Sequence, residues 1–233
     1  MSDLLLHPAL WLTMTVAVYL LCDGLSRKSG GVPLLNPLFT SVLILIGMLK
    51  VTGVTYSQYF ASASFIHLLL GPATVALAVP LYTNLSRVKQ MLGPLCIALA
   101  AGGLTGIFSI LLLGKAFGLS QNVLVSFAPK SVTTPIAMAL ADRLGGNASL
   151  AAAAVIVTGV LGCMIVDWVM KPLRINDPEV IGFSLGLSAH GLGTARAFQF
   201  SPVAGAFAGL GMGLNGVFTS LVLPFIIGCW PCN

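Results

Sequence analysis

Long stretches without a charged side chain alternate with short segments that carry charges. Residues other than Asp, Glu, Lys and Arg run from 4 to 22, 29 to 49, 51 to 86, 90 to 114, 144 to 166 and 197 to 233. Each stretch exceeds the ~18 apolar residues that mark a membrane-spanning helix. The pattern predicts an all-helical polytopic membrane protein with about seven or eight membrane segments, two of them broken or re-entrant.

The first break lies between two prolines, in the run from Pro129 to Pro135. The fourteen residues before Lys130 and the eleven after it are uncharged, which places this lysine at membrane depth. Pro129 lacks a backbone N–H and disfavours helix at the preceding residue, so one helix ends here and another begins near Ser131. Irregular backbone at that depth needs protein or a water-filled cavity around it. The run is therefore predicted to line a cavity.

This break also joins a cation to a new helix start. Ser131 or Thr133 would cap the restarting helix, whose free N–H groups and positive dipole end would lie beside the Lys130 ammonium. That combination suits a small anion. The alternative is a lysine that snorkels to the interface, beside a proline kink that only shapes packing.

The second break interrupts the apolar run between Gly186 and Arg196. Gly191 and Gly193 permit positive φ, so the helix is predicted to unwind around His190. The guanidinium of Arg196 suits a carboxylate, and His190 can hydrogen-bond or titrate near neutral pH. The alternatives are a packed histidine bonded to a helix carbonyl and an arginine that snorkels to the interface.

A third irregularity lies near Pro72, where the run from 60 to 85 is predicted to bend or break. This stretch faintly resembles the first break when Pro72 is aligned with Pro129 and Thr74 with Ser131. Paired interrupted segments in two halves of a chain point to inverted repeats with a site near the midplane. A chance likeness is the alternative.

Composition agrees with a single membrane domain over residues 1–233. The chain is 57% hydrophobic and 7% charged, with a mean hydropathy of +1.00. Its net charge of +5 lies mostly in short loops, which indicates membrane topology and not a nucleic-acid partner. Arg87 and Lys89 mark a cytoplasmic loop, but three plain crossings would place Lys171 and Arg174 outside. The conflict disappears if the segment around Pro129 enters the membrane and returns.

Several local features have ordinary structural interpretations. Gly102 and Gly106 predict close helix packing. Asp167 is expected to form an i, i+4 pair with Lys171 at the interface. The Cys229 to Cys232 spacing lacks the context of a redox or zinc site, and no metal or organic cofactor is expected. The first apolar run lacks a basic segment before it and is interpreted as a retained helix.

Four stretches together resemble a known family. They are Pro129-Lys-Ser-Val-Thr-Thr-Pro-Ile-Ala137, Ser188-Ala-His-Gly-Leu-Gly-Thr-Ala-Arg196, Pro33-Leu-Leu-Asn-Pro37 and the segment from Pro72 to Leu85. The first two closely resemble the signature stretches of the LrgB/CidB family, and the likeness covers nearly the whole chain. Many members carry an acidic residue shortly after the second stretch, where this chain has Gln199, so the resemblance leaves proton coupling open.

The resemblance implies two kinds of function. Members were first described as holin-like or antiholin-like regulators of murein hydrolases and lysis, working with a small membrane partner of the LrgA/CidA type. Others look like carriers, including a plastid relative that translocates glycolate and glycerate and bacterial pairs implicated in pyruvate uptake. The residues favour a carrier, because a pore needs no cations or histidine on helix breaks.

The sequence therefore predicts a monocarboxylate transporter that works by alternating access. The candidate coupling ions are H+ and Na+. Lys130 and Arg196 would attract the carboxylate and His190 would bond it or exchange a proton; the orienting hydroxyls would be Ser131, Thr133, Thr134, Ser188 and Thr194. The residues predicted to break helices are Pro72, Pro129, Pro135, Gly191 and Gly193. A homo-oligomer in a bacterial inner membrane is expected. An intramembrane hydrolase using Ser188 and His190 is disfavoured, because the nucleophile-elbow pattern is absent. No enzymatic activity is expected.

Overall fold

The computed structural model describes residues 8–29, 35, 37–76 and 78–230. Over those ranges the regular secondary structure is α-helical, which confirms the predicted all-helical class. The helices are α1 (Pro8–Lys28), α2 (Pro37–Thr52), α3 (Tyr56–Ala76), α4 (Ala78–Thr83), α5 (Leu85–Gln90), α6 (Leu92–Ala116), α7 (Gln121–Phe127), α8 (Thr134–Arg143), α9 (Ala148–Met170), α10 (Pro178–Phe200) and α11 (Pro202–Cys229).

Four of the described helices are long and apolar enough to cross a membrane. They are Ala9–Lys28, Leu92–Ala116, Ala148–Met170 and Pro202–Cys229, and Phe39–Thr52 is a shorter apolar helix. The chain is a membrane protein, while the predicted number of seven or eight segments is not confirmed.

The chain divides into two compact units, one up to Ala76 and one after it. In the first unit, Tyr59 of α3 meets α1, where its ring lies edge-on to Trp11 at 5.8 Å between centroids. The Tyr59 hydroxyl is 3.1 Å from that of Thr15. Pro72 lies inside α3, which continues to Ala76, so no helix ends at this proline. Most of the Pro33–Pro37 stretch, the Thr74 side chain and Cys232 lie outside the description, and the inverted repeat stays a prediction.

In the second unit, α7 and α8 form a helical hairpin. The side-chain amide of Asn122 donates to the Gly145 carbonyl at 2.8 Å, and the Asn147 N–H donates to Ser126 Oγ at 2.7 Å. The beginning of α7 therefore lies beside the end of α8, and the chain reverses over residues 128–133. The seven residues of α7 and the ten of α8 span about 10 and 15 Å, roughly half of a hydrocarbon core. The chain therefore folds back as predicted, while the entry of this hairpin into the membrane stays a prediction.

A second hairpin is contained within α10. At His190 the backbone is non-helical, with φ 43° and ψ −129°. Before that point Gly182 lies against the Ala204 carbonyl and Gly186 against that of Ala208, so this first arm runs parallel to α11. Contacts with backbone oxygens need glycine on the approaching helix, because any Cβ would collide with them.

The return arm follows His190 in the opposite direction. Gly193 lies against the Leu185 carbonyl of the first arm, and Phe198 packs on Gly205 near the start of α11. Contacts between residues 193 and 185 require the chain to fold back on itself. The arms of about 12 and 10 residues span about 18 and 15 Å, so this hairpin also has half-membrane depth.

An ion pair fixes which loops share one end of this unit. Arg87 of α5 contacts the carboxylate of Glu179, which lies in the first turn of α10 and is buried. Lys171 and Arg174 precede α10 directly and therefore lie at the same end as Arg87. The reversal of the chain in the first hairpin thus places both charged loops at one end, which is the arrangement that removes the conflict in the loop charges. The cytoplasmic assignment of this end stays a prediction.

Glycines of α6 let both hairpins approach it. Gly102 lies against the Leu187 side chain of the second hairpin, and Gly106 lies against the Ser131 hydroxyl of the first. The close packing predicted from the spacing of these glycines is confirmed. Because both contacts are near the hairpin tips, α6 is the helix along which the two tips meet.

Candidate functional site

The first hairpin tip is the chain between Phe127 and Thr134. Pro129 lies within it and is fully buried, and Pro135 occupies the first turn of α8, where a missing N–H costs nothing. Thr133 has the extended backbone of an N-cap, with φ −66° and ψ 149°, but its side chain makes no capping hydrogen bond. Thr133 is therefore the N-cap residue, as predicted, but its hydroxyl does not make the hydrogen bond of a cap.

Lys130 points from this tip towards α6. Its ammonium donates to the Gly106 carbonyl at 2.9 Å, and its side chain also borders an open cavity of about 270 Å³ beside α9. The cavity lining is otherwise apolar except for Thr158: Phe127, Leu150, Ala153, Ala154, Val157 and Thr158. An ammonium that uses one donor on α6 keeps two for another acceptor. The lysine is thus held at the tip by a carbonyl.

His190 forms the second tip. Its side chain is 5% exposed, with Nε2 3.0 Å from the Val155 carbonyl of α9. The Thr194 hydroxyl donates to the His190 carbonyl at 3.0 Å and so closes the turn. This arrangement matches the alternative of a packed histidine bonded to a helix carbonyl. A positive φ in a non-glycine residue is a strained conformation, and here two hydrogen bonds hold it.

Asn215 of α11 joins the two tips. Its side chain is fully buried, and its Nδ2 donates to the Ser131 carbonyl at 3.0 Å and to the Leu187 carbonyl at 2.9 Å. The Thr219 hydroxyl donates to Asn215 Oδ1 at 3.3 Å. The sequence predictions miss this residue. Its signal is an amide within the long uncharged run of the last helix, where a polar side chain needs partners inside the protein.

The other predicted hydroxyls lie at different places. Ser131 is buried at the first tip, and Thr134 is half-buried in the first turn of α8. Ser188 is exposed and donates to the Ser184 carbonyl one turn earlier in its own helix, at 2.7 Å. Gly191, next to His190, has open space around its Cα. The predicted residues therefore cluster at two tips, with Ser188 turned away.

Arg196 lies apart from the tips and is already paired. Its Nη2 is 2.9 Å from Asp167 Oδ2, and its Nη1 donates to Gln199 Oε1 at 2.6 Å. The expected pair of Asp167 with Lys171 is wrong. Lys171 is exposed to solvent, whereas Arg196 is partly buried and therefore has the greater need of a counter-charge. Asp167 follows Thr158 by nine residues on α9, which is about 14 Å along the axis. Lys130 and Arg196 do not converge on one point.

The chemistry available at the tips is anion binding. The Lys130 ammonium lies beside an apolar groove between the first hairpin tip and α9, and Thr158 is the hydroxyl-bearing residue of the groove lining. Among the described residues, no group of three or more His, Cys, Asp or Glu side chains is arranged to hold a metal ion. We call Lys130, Ser131, His190, Thr194 and Asn215 the tip site.

Known proteins are similar to this chain along almost its entire length. A family model described as "LrgB-like family" matches residues 15–229. Uncharacterized protein YwbG of Bacillus subtilis is 34% identical over 216 residues, 93% of this chain and 96% of the relative. Antiholin-like protein LrgB of Bacillus subtilis is 30% identical over 222 residues, with 95% and 96% covered. Holin-like protein CidB of Staphylococcus aureus is 29% identical over 218 residues, with 94% and 95% covered. No solved structure matches.

Proposed function

The chain belongs to the LrgB-like family, and from this premise we propose that it carries small monocarboxylates across the membrane by way of the tip site. The observation that carries the proposal is the link made by Asn215, which bonds the first tip at Ser131 and the second at Leu187. Broken elements that meet at half-membrane depth are typical of secondary transporters, whose substrates bind there.

Charge favours an anionic substrate. A lysine inside a membrane protein is costly unless it is paired, and such residues usually mark a substrate or ion pathway. Lys130 is bonded to a neutral carbonyl, so an incoming carboxylate would supply the missing negative charge. Thr158 is the hydroxyl in the same groove that a 2-hydroxy or 2-keto acid could use. Glycolate, glycerate and pyruvate have this chemistry.

The transport cycle we propose alternates access to the groove from the two faces of the membrane. The hairpins would move against α6 and α9, whose glycines Gly102, Gly106, Gly159 and Gly162 lie against hairpin residues. Small residues at an interface allow helices to slide with little change in packing volume. Imposed proton and sodium gradients would identify the coupling ion.

The second candidate is a holin-like or antiholin-like membrane protein that regulates murein hydrolase activity and lysis. The names of two relatives, holin-like protein CidB and antiholin-like protein LrgB, support this candidate more directly than carboxylate transport. It would act with a small membrane protein of the LrgA/CidA type, as a homo-oligomer in a bacterial inner membrane. In this function the charge of Lys130 would be dispensable.

Uptake into proteoliposomes separates the two candidates. The carrier is expected to take up labelled glycolate saturably, in competition with glycerate and pyruvate. Lys130→Met is expected to lower uptake by about tenfold or more, because one charge-assisted bond to the substrate is lost. Lys115→Met, which removes an exposed cation at the end of α6, is the matched control and should retain uptake.

The opposite result would support the second candidate. A solute leak that does not saturate, and that is equal in the wild type and Lys130→Met, would overturn the carrier proposal. The comparison is made with and without an LrgA-type partner in the same liposomes, so that a requirement for the partner is not mistaken for a lack of activity. Circular dichroism and gel filtration verify that each variant is folded.

A further inference from the structure

The Arg196–Asp167 pair is partly buried in the second unit. Arg196 belongs to the return arm of the second hairpin and Asp167 to α9, and their side chains are 20% and 22% exposed. No Asp, Glu, Lys or Arg follows Arg196 in the sequence. The acid of the α10 hairpin, Glu179, is bound to Arg87 at the loop end. Asp167 is therefore the carboxylate that neutralises Arg196.

The pairing leaves part of the guanidinium unused. Asp167 meets Arg196 through one carboxylate oxygen, and the neutral amide oxygen of Gln199 takes Nη1. The Nε of Arg196 is buried and has no hydrogen-bond partner. The Phe200 ring supports the cation, with its centroid 4.9 Å from Cζ. A guanidinium can bind a carboxylate through two parallel hydrogen bonds, which are stronger and more specific than a single one.

We propose that Asp167 is a resident counter-ion that a substrate carboxylate displaces, so that Arg196 is a second anion-binding position on the return arm. This inference rests on the proposed carrier function. In the absence of substrate, Asp167 supplies the counter-charge of Arg196, whose partly buried guanidinium would otherwise be unpaired. A free carboxylate that reaches Arg196 can replace the one-oxygen contact with a two-oxygen contact that also satisfies Nε.

Displacement has a consequence for affinity. Because the internal carboxylate competes with the external one, the wild-type protein should bind anions more weakly than a variant without the competitor. A purely structural ion pair predicts no such gain, since removing Asp167 would leave Arg196 uncompensated and destabilise the fold without helping a ligand to bind. The two roles of Asp167 thus differ in whether the affinity for anions increases.

Thermal unfolding of the purified protein in detergent measures whether the affinity increases. Sodium glycolate is titrated against sodium chloride at matched ionic strength, and the rise of the midpoint with concentration gives the apparent affinity. Asp167→Asn is expected to bind glycolate about tenfold more tightly than the wild type. Asp142→Asn, which neutralises an exposed acid at the end of α8, is the matched control and should leave the affinity unchanged. Adding Arg196→Gln to Asp167→Asn should abolish the gain.

An unchanged or weaker affinity in folded Asp167→Asn would overturn the inference. Asp167→Ala is the second variant, with the same expected gain. Failure of both to fold would also contradict displacement, because a carboxylate that the fold requires is not one that a substrate can replace. The readout is binding and needs no transport, so these outcomes are independent of the Lys130 uptake experiment. Uptake with no gain in binding would reject the counter-ion role alone.

Discussion

Replacing Asn215 with aspartate is expected to lower the free energy of unfolding by about 3 kcal/mol or more and to abolish uptake. The amide nitrogen of Asn215 donates to the Ser131 and Leu187 carbonyls, and an ionised carboxylate at the same position would face both with like partial charge. A buried polar group left without a partner costs about 1–3 kcal/mol, and a buried charge costs more. Asn215→Asp would remove the hydrogen bonds to both carbonyls and bury a carboxylate against them.

Asn147→Asp is the matched control for this substitution. Asn147 caps α9 by accepting a hydrogen bond from the Leu150 N–H, a role that aspartate fills equally well. Denaturant unfolding in mixed micelles, followed by circular dichroism, compares the two variants. If Asn215→Asp were as stable as Asn147→Asp, the connection of the hairpin tips through α11 would be wrong.

His190→Ala is expected to be less stable than the wild type by about 3 kcal/mol, and His190→Gly by less. Both variants lose the bond between Nε2 and the Val155 carbonyl and the packing of the ring. Alanine keeps the strain of φ 43° and ψ −129°, whereas glycine adopts positive φ without a penalty. A strained conformation of this kind costs about 1–3 kcal/mol, so glycine should recover about that amount relative to alanine.

The comparison between the two variants isolates the backbone from the side chain. Gly191→Ala is a further control, because the space around Gly191 is open and its φ is not positive. It should be nearly neutral in the same unfolding experiment. Equal stability of His190→Ala and His190→Gly would show that the reversal at residue 190 is not the strained point of the second hairpin.

The sequence predicts the first hairpin well because its signals are local. Pro129 and Pro135 bracket the non-helical tip, and the loop charges at Lys171 and Arg174 require the segment to return. Both signals depend on neighbouring residues or on simple counting along the chain. Pro72 shows the limit of the same rule, since α3 accommodates it and ends four residues later. A proline alone does not tell how neighbouring helices compensate for the lost hydrogen bond.

Features that depend on contacts between distant residues are not predictable in this way. Asp167 and Arg196 are 29 residues apart, and the rule for i, i+4 pairs assigns the wrong partner to Asp167. Asn215 bonds Ser131 across 84 residues, so its role is visible only when both hairpins are folded. The acid that the family resemblance leads one to expect near residue 199 is absent, and Arg196 instead obtains a carboxylate from α9.

The second hairpin is predicted in part by local signals and depends in part on contacts between distant residues. The sequence correctly points to residues around His190, but it assigns the break to the glycines Gly191 and Gly193. The non-helical residue is His190 itself, held by the Val155 carbonyl and by Thr194. Gly193 contributes a close approach to the Leu185 carbonyl, which a side chain would prevent. One tertiary hydrogen bond, to Val155, and one local hydrogen bond, from Thr194, therefore hold a non-glycine residue at positive φ.

Labelling of single cysteines tests most directly whether α7 and α8 enter the membrane and return. The background is a variant in which the five native cysteines are replaced by serine or alanine. Exposed positions flank the first hairpin at Ser120 and Ser149, and Ser86 and Asn176 lie at the opposite end of the unit. An impermeant maleimide applied to one face of sealed vesicles should label Ser120→Cys and Ser149→Cys together, and label Ser86→Cys and Asn176→Cys only from the other face. Labelling of Ser120→Cys and Ser149→Cys from opposite faces would contradict the re-entrant hairpin, and with it the tip site.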